Sequence, residues 1–152
     1  MKIAWIAAGM LAAWAGAAAV GRAQQAVDPQ QLKISPLRYK NSFIKISDVY
    51  IHFKAGGPVR LDEAGYPLDR FITFGAAQSG MRCFFRRDSG TEALVAGFKN
   101  GDRMTIYGYV KEPHIRFNGP RDTVKLMPII EVSKLVRGWE APTPPPPAAP
   151  PK

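Results

Sequence analysis

Arg82, Phe84 and Arg86 alternate with apolar residues, and Tyr107 and Tyr109 flank a glycine further along the chain. Successive side chains of a strand point to opposite faces, so each set projects from one side of its strand. Rings set between cations can do one particular chemistry: bases stack on the rings while guanidinium groups meet phosphates. The same residue types also anchor protein interfaces. A third reading is structural, with Phe84 covered by a helix or loop and the arginines solvated. Salt separates the first two, because phosphate binding weakens steeply as salt rises.

Catalytic equipment is sparse. His52 and His114 are the only histidines. His52 shares an alternating row with Asp48 and Tyr50, which reads as a solvated strand face rather than a proton-transfer site. The sequence holds no Cys/His cluster, no metal-ligand spacing and no phosphate-binding glycine loop. No catalytic residue, metal or cofactor is therefore expected. Asp62, Glu63 and Asp69 share a Gly- and Pro-rich stretch but lack the ligand spacing of a calcium loop. The single cysteine, Cys83, excludes an internal disulfide, and its place between Met81 and Phe85 reads as a small buried hydrophobe.

Strand signals dominate the elements that must position these residues. Phe43 to Lys54 is rich in β-branched and aromatic residues. Val49, Ile51 and Phe53 alternate against Asp48, Tyr50 and His52, whereas Ile44 and Ile46 lie in the opposite phase. That pattern predicts a switch of the apolar face near Ser47, through a bulge or a sharp coil of the strand. Ala55 to Asp69 reads as a long excursion. Arg70 to Gly75 and Met81 to Arg87 form a hairpin around Ser79-Gly80. A short helix follows, capped by Thr91, carrying Leu94 and Phe98 on one face and ending at Asn100-Gly101. Arg103 to Lys111 alternates strictly, with Met104, Ile106, Gly108 and Val110 inward. A glycine inside a strand marks a bend or a close backbone approach. Asn118-Gly119-Pro120 reads as a turn, and Val124 to Leu135 as a last strand interrupted at Pro128.

The order strand, strand, strand, short helix, strand, strand defines an all-β class with small α content. It matches the five-stranded Greek-key barrel of the OB fold, with its helix between strands three and four. Met81-Arg-Cys-Phe-Phe85, Leu94 to Phe98, and Lys99-Asn-Gly-Asp-Arg-Met-Thr-Ile-Tyr-Gly-Tyr-Val110 resemble tRNA-anticodon-type OB domains of exported bacterial proteins. The resemblance covers roughly Phe43 to Leu135, and its motifs imply a fold rather than a reaction. The chain departs from the pattern in the long loop before Asp69 and in the inserted segment Glu112 to Thr123.

The ends of the chain are built differently. Lys2, the uncharged apolar run Ile3 to Val20, and small residues around Gly21 and Ala23 follow signal-peptide grammar. An alternative is a retained inner-membrane anchor over residues 3–20, since the run reaches the lower length of a spanning helix. Residues 24–39 read as a polar, mobile leader and 40–139 as the barrel domain. Residues 140–152 read as a disordered proline-rich tail with polyproline character. Removing Lys2 and Arg22 takes the formal charge from +9 to +7, so the exported part stays basic. Such a field attracts polyanions in general. The expectation is a noncatalytic, periplasmic or secreted binding module of OB type, partnered by an envelope protein or polyanion. Single-stranded nucleic acid is the alternative ligand, with Arg82, Phe84, Arg86, Tyr107 and Tyr109 as the candidate binding residues.

Overall fold

The computed structural model describes residues 24–53, 59–117, 121 and 123–141. The apolar N-terminal run, Gly56-Gly57-Pro58, the Asn118-Gly119-Pro120 turn and residues 142–152 of the proline tail lie outside the described residues. In chain order the elements begin with β1 (Gln25–Val27), helix α1 (Pro29–Ile34) and one tighter helical turn, Pro36–Tyr39. β2 (Phe43–Ile51), β3 (Val59–Arg60), β4 (Phe71–Ala76) and β5 (Met81–Arg86) come next. Helix α2 (Ser89–Ala96) leads to β6 (Arg103–Lys111), β7 (His114–Phe117), β8 (Thr123–Leu126) and β9 (Ile129–Arg137).

Five of these strands close a barrel. β2 pairs with β4, β4 with β5, β5 with β9 in parallel, β9 with β6, and β6 back to β2. With α2 between the third and fourth barrel strands, this is an OB-fold-like Greek-key barrel. Alternation supplies its interior. Ile44, Ile46, Phe74, Cys83, Met104, Ile106, Val110 and Ile130 are all completely buried in one cluster. Each such side chain contributes about 1.5–3 kcal/mol of apolar burial. Cys83 is one of them, and burial pushes its thiol pKa up.

The expected phase switch in the first barrel strand does not occur. Ile44, Ile46, Asp48 and Tyr50 follow one another on the inner side, and the register with β6 runs unbroken from Phe43↔Tyr109 to Val49↔Arg103. A carboxylate occupies an inward position because the turn between β4 and β5 presents backbone donors to it. Asp48 accepts from the N–H groups of Val49 at 2.7 Å, Gln78 at 2.8 Å and Ser79 at 3.0 Å. Val49 and Ile51 accordingly point outward, and His52 lies beyond the strand end, with its N–H donating to Asn100 Oδ1. His52 therefore shares no open face with Asp48 and Tyr50, both buried inside.

The bulge lies instead in the pairing of β6 with β9, where the register shifts between Tyr107 and Gly108. A Cβ on Gly108 would sit 2.4 Å from the Glu131 carbonyl oxygen. The strand glycine thus marks a close backbone approach, as its position in the sequence implies. The helix is where the sequence places it, with a different cap. Asp88 is the N-cap and accepts from the Thr91 N–H, while Thr91 Oγ1 accepts from the Asp88 N–H in a capping box. Val95 and Phe98 are buried, and Leu94 is partly buried against the core.

Two segments expected to be irregular are ordered. Residues 25–34 form β1 and α1 instead of a loose leader. β1 runs parallel to β2 along Ile44 to Ile46, an edge left open because β4 meets β2 only at Tyr50 and Ile51. Asp28 caps α1 by accepting from the N–H groups of Gln30 and Gln31, and Val27, Leu32 and Tyr39 join the main core. The last strand is divided at Pro128. β8, the first part of the expected last strand, leaves the barrel for a three-stranded sheet, β3-β7-β8, with β3 from the long excursion and β7 from the inserted segment.

Candidate binding surface

That small sheet decides which part of the barrel's outer face meets solvent. Leu61, Tyr66 and Ile115 pack with Phe84 of β5 and Ile129 of β9 in a second buried cluster, flanked by Phe71, Phe117 and Met127. Phe84 is 0% exposed, and its ring centroid lies 4.7 Å from that of Tyr66. Phe84 is thus covered, as the structural reading of the sequence has it, and is not an open stacking platform. The residue does point away from the barrel interior, but the chain's own insertions cover it. In OB folds the second and third strands and the loops after strands one and four carry ligands. Here those two loops pair with each other, Val59 opposite Phe117 and Arg60 opposite Arg116, and Glu63 forms ion pairs with both arginines.

Tyr66 closes this cover onto the barrel. Its hydroxyl donates to Glu131 Oε2 at 2.9 Å. Burial first, then that bond to a carboxylate, holds the phenol well above the ordinary tyrosine range. The folded state binds this proton more tightly than the unfolded chain. The contribution is complete below the unfolded value and is lost as pH rises through the raised one. Tyr66→Phe is expected to cost about 1 kcal/mol near neutral pH. The gap between wild type and variant should narrow as pH climbs beyond about 10. Urea midpoints measured on both proteins across that range check it, and a gap independent of pH would refute the role of this hydroxyl.

The remaining residues singled out from the sequence divide into two groups. Arg82 is half-buried, with its guanidinium carbon 5.0 Å from the centroid of the Phe53 ring, and Arg86 is exposed. Tyr107 and Tyr109 stand on the far side of β9. The ladder runs Phe84↔Glu131↔Tyr109, so the carboxyl-bearing Glu131 separates the two groups. They share the barrel's outer side but not one open surface, because the cover over Phe84 and Tyr66 on Glu131 lie between them.

Tyr107 and Tyr109 are brought together with residues that sequence pattern alone does not select. Tyr107 lies between Lys45 and Lys134 in the ladder, with their ammonium groups 5.5 and 4.9 Å from its ring centroid. Tyr109 packs against Phe43 at 4.9 Å and carries Lys111 at 5.4 Å. Cations so placed interact with the ring faces. Outward positions opposite Tyr107 and Tyr109 in β2 and β9 were the signal available for finding Phe43, Lys45 and Lys134. Cross-strand register was the missing information.

The segment after β9 bounds this strip. Thr105 Oγ1 donates to the Gly138 carbonyl and accepts from the Glu140 N–H, drawing residues 138–140 across β6. Tyr107 donates its hydroxyl to Glu140, and Lys45 donates to the Ala141 carbonyl at 3.2 Å. Burial, then that bond, raises the Tyr107 pKa, while the Tyr107 hydroxyl lowers that of Glu140. Lys45 is thereby committed within the molecule, whereas Lys134 is exposed and Lys111, Tyr107 and Tyr109 are partly so.

No protein-family model and no curated protein matches the sequence. Among solved structures, the chain is similar to a Leishmania major Friedlin protein assigned as an aspartyl-tRNA synthetase, at 10% identity and a TM-score of 0.46. The match covers 89% of this chain and spans 24% of that one. The OB-like assignment rests on strand order and pairing.

Proposed function

We propose that this chain is a noncatalytic binding module of the bacterial cell envelope, exported by its N-terminal segment, with a protein or an anionic envelope component as its partner. The observation that carries the reading is the covered state of Phe84. The usual OB ligand face is filled by the chain's own insertions, which leaves the β6 strip of Tyr107, Tyr109, Lys111 and Lys134. The export reading is supported by the apolar run and by the basic charge of residues 24–152. The noncatalytic reading is supported by the histidines, since His52 lies just past the end of β2 and His114 at the start of β7, both exposed.

A nucleic-acid reading is favoured by one feature, the pair of tyrosines flanked by lysines. Titration of residues 24–152 against a labelled single-stranded oligonucleotide, at low and physiological salt with heparin as competitor, separates the two. The expected result is weak oligonucleotide binding, abolished alike by salt and by heparin. Saturable binding that survives physiological salt and resists heparin would replace the envelope reading with the nucleic-acid one. The double variant Lys111→Glu, Lys134→Glu is expected to elute from immobilised heparin at lower salt than wild type, and unchanged elution would remove the strip from the site.

A further inference from the structure

A cleft of about 370 Å³ opens where the end of α1, the β4–β5 turn and the start of β9 converge. Its walls are apolar: Pro36, Phe53, Met81, Met127 and Pro128. That volume lies in the range of small-molecule sites. Phe53 is held across the sheet by Gly75, where a Cβ would come within 2.4 Å of the ring. The aromatic wall thus depends on a residue with no side chain.

Two side chains in the lining are cationic, Lys33 and Arg82, and none is acidic. Arg82 is half-buried, and its contact among the described residues is the face of Phe53, with no carboxylate in ion-pair reach. Loss of water lowers its pKa from the ordinary guanidinium value. Asp48, hydrogen-bonded to the Ser79 N–H beside the cleft, is already committed to three backbone donors. A desolvated guanidinium at the edge of an apolar cavity is complementary to one anionic head attached to an apolar body.

We propose that this cleft binds a single-chain alkyl carboxylate, the carboxylate meeting the Arg82 fork with Lys33 at the rim and the chain lying on Phe53 and Met127. A planar guanidinium pairs with a carboxylate through two parallel hydrogen bonds. An extended peptide is a poorer occupant. It would bring a row of N–H and C=O groups needing partners, and the lining offers Lys33, Ser79 and Arg82 as its polar side chains. Ser79 Oγ already accepts from the Met81 N–H. The inference rests on the cleft alone and stands whether or not the β6 strip takes a polyanion.

The methionines make the test direct. In the full-length chain carrying 13C-methyl methionine, Met127 lines the cleft and Met81 lies beneath it at 3% exposure, whereas Met104, completely buried in the barrel and outside the lining, is an internal control. Titration with dodecanoate below its micelle concentration is expected to shift the Met81 and Met127 methyl resonances saturably and leave Met104 in place. Uncharged dodecanol should bind more weakly. Arg82→Gln should raise the dissociation constant about tenfold. Lys33→Gln, an exposed helix position where no folding defect is expected, should raise it about threefold. Four results would overturn the proposal: no saturable shift, equal affinity for dodecanol, undiminished affinity in both variants, or shifts seen with phosphatidylglycerol vesicles and not with dodecanoate. The last would make the face a membrane contact instead of a site for one molecule. Failure here leaves the heparin and oligonucleotide results untouched, because those read the β6 strip.

Discussion

Phe84→Ala is expected to lower the stability of the fold by about 4 kcal/mol. The ring is completely buried among Leu61, Tyr66, Ile115 and Ile129, and its truncation leaves a cavity between the barrel and the sheet that covers it. The cost combines lost apolar transfer with contacts the neighbours cannot recover. Because the cover meets the barrel through this cluster, the loss should appear in urea unfolding as a lower midpoint and in hydrogen exchange as earlier opening of β3, β7 and β8. Heparin affinity, measured where the variant is still folded, is expected to be unchanged. A stability loss below about 1 kcal/mol, together with weakened polyanion binding, would return Phe84 to the role of an exposed platform.

Asp48→Ala is expected to cost a similar amount, about 4 kcal/mol, for a different reason. The carboxylate is completely buried and takes three backbone N–H bonds, two of them from the turn that joins β4 to β5. Without it, the donors of Gln78 and Ser79 lose their acceptor, and an unpaired buried donor carries its full desolvation penalty. Asp48→Asn keeps one acceptor oxygen and should recover part of the loss. Equilibrium unfolding of the two variants is the check. Equal losses in both would mean that the charge, rather than the accepting oxygens, carries the effect.

These two positions also mark where local pattern stops being informative. Alternation in Arg103 to Lys111 made its inner row readable, and Gly108 could be recognised as a close approach because a strand interior disfavours glycine without such a need. The hairpin and the short helix were legible for the same local reasons. β1 and α1 were not, since Val27, Leu32 and Tyr39 are too sparse to set a period, and their order comes from an unfilled edge of β2. Asp48 misled the phase of the first barrel strand because a buried carboxylate looks identical in sequence to a solvated one. What distinguishes it is a turn thirty residues later.

The candidate site divides along the same line. Alternation alone is enough to send Arg82, Phe84 and Arg86 from one side of their strand and Tyr107 and Tyr109 from one side of theirs, because a strand turns each successive side chain over. What lies against those sides depends on how the elements pack. Tyr66 reaches Glu131, Leu61 and Ile115 close over Phe84, and Phe53 rests on Gly75 beside Arg82. Each of these contacts joins residues distant in the chain. Strand periodicity records the direction of a side chain relative to its own backbone and nothing about its neighbours, so exposure, and with it the place where a ligand can bind, is set by packing.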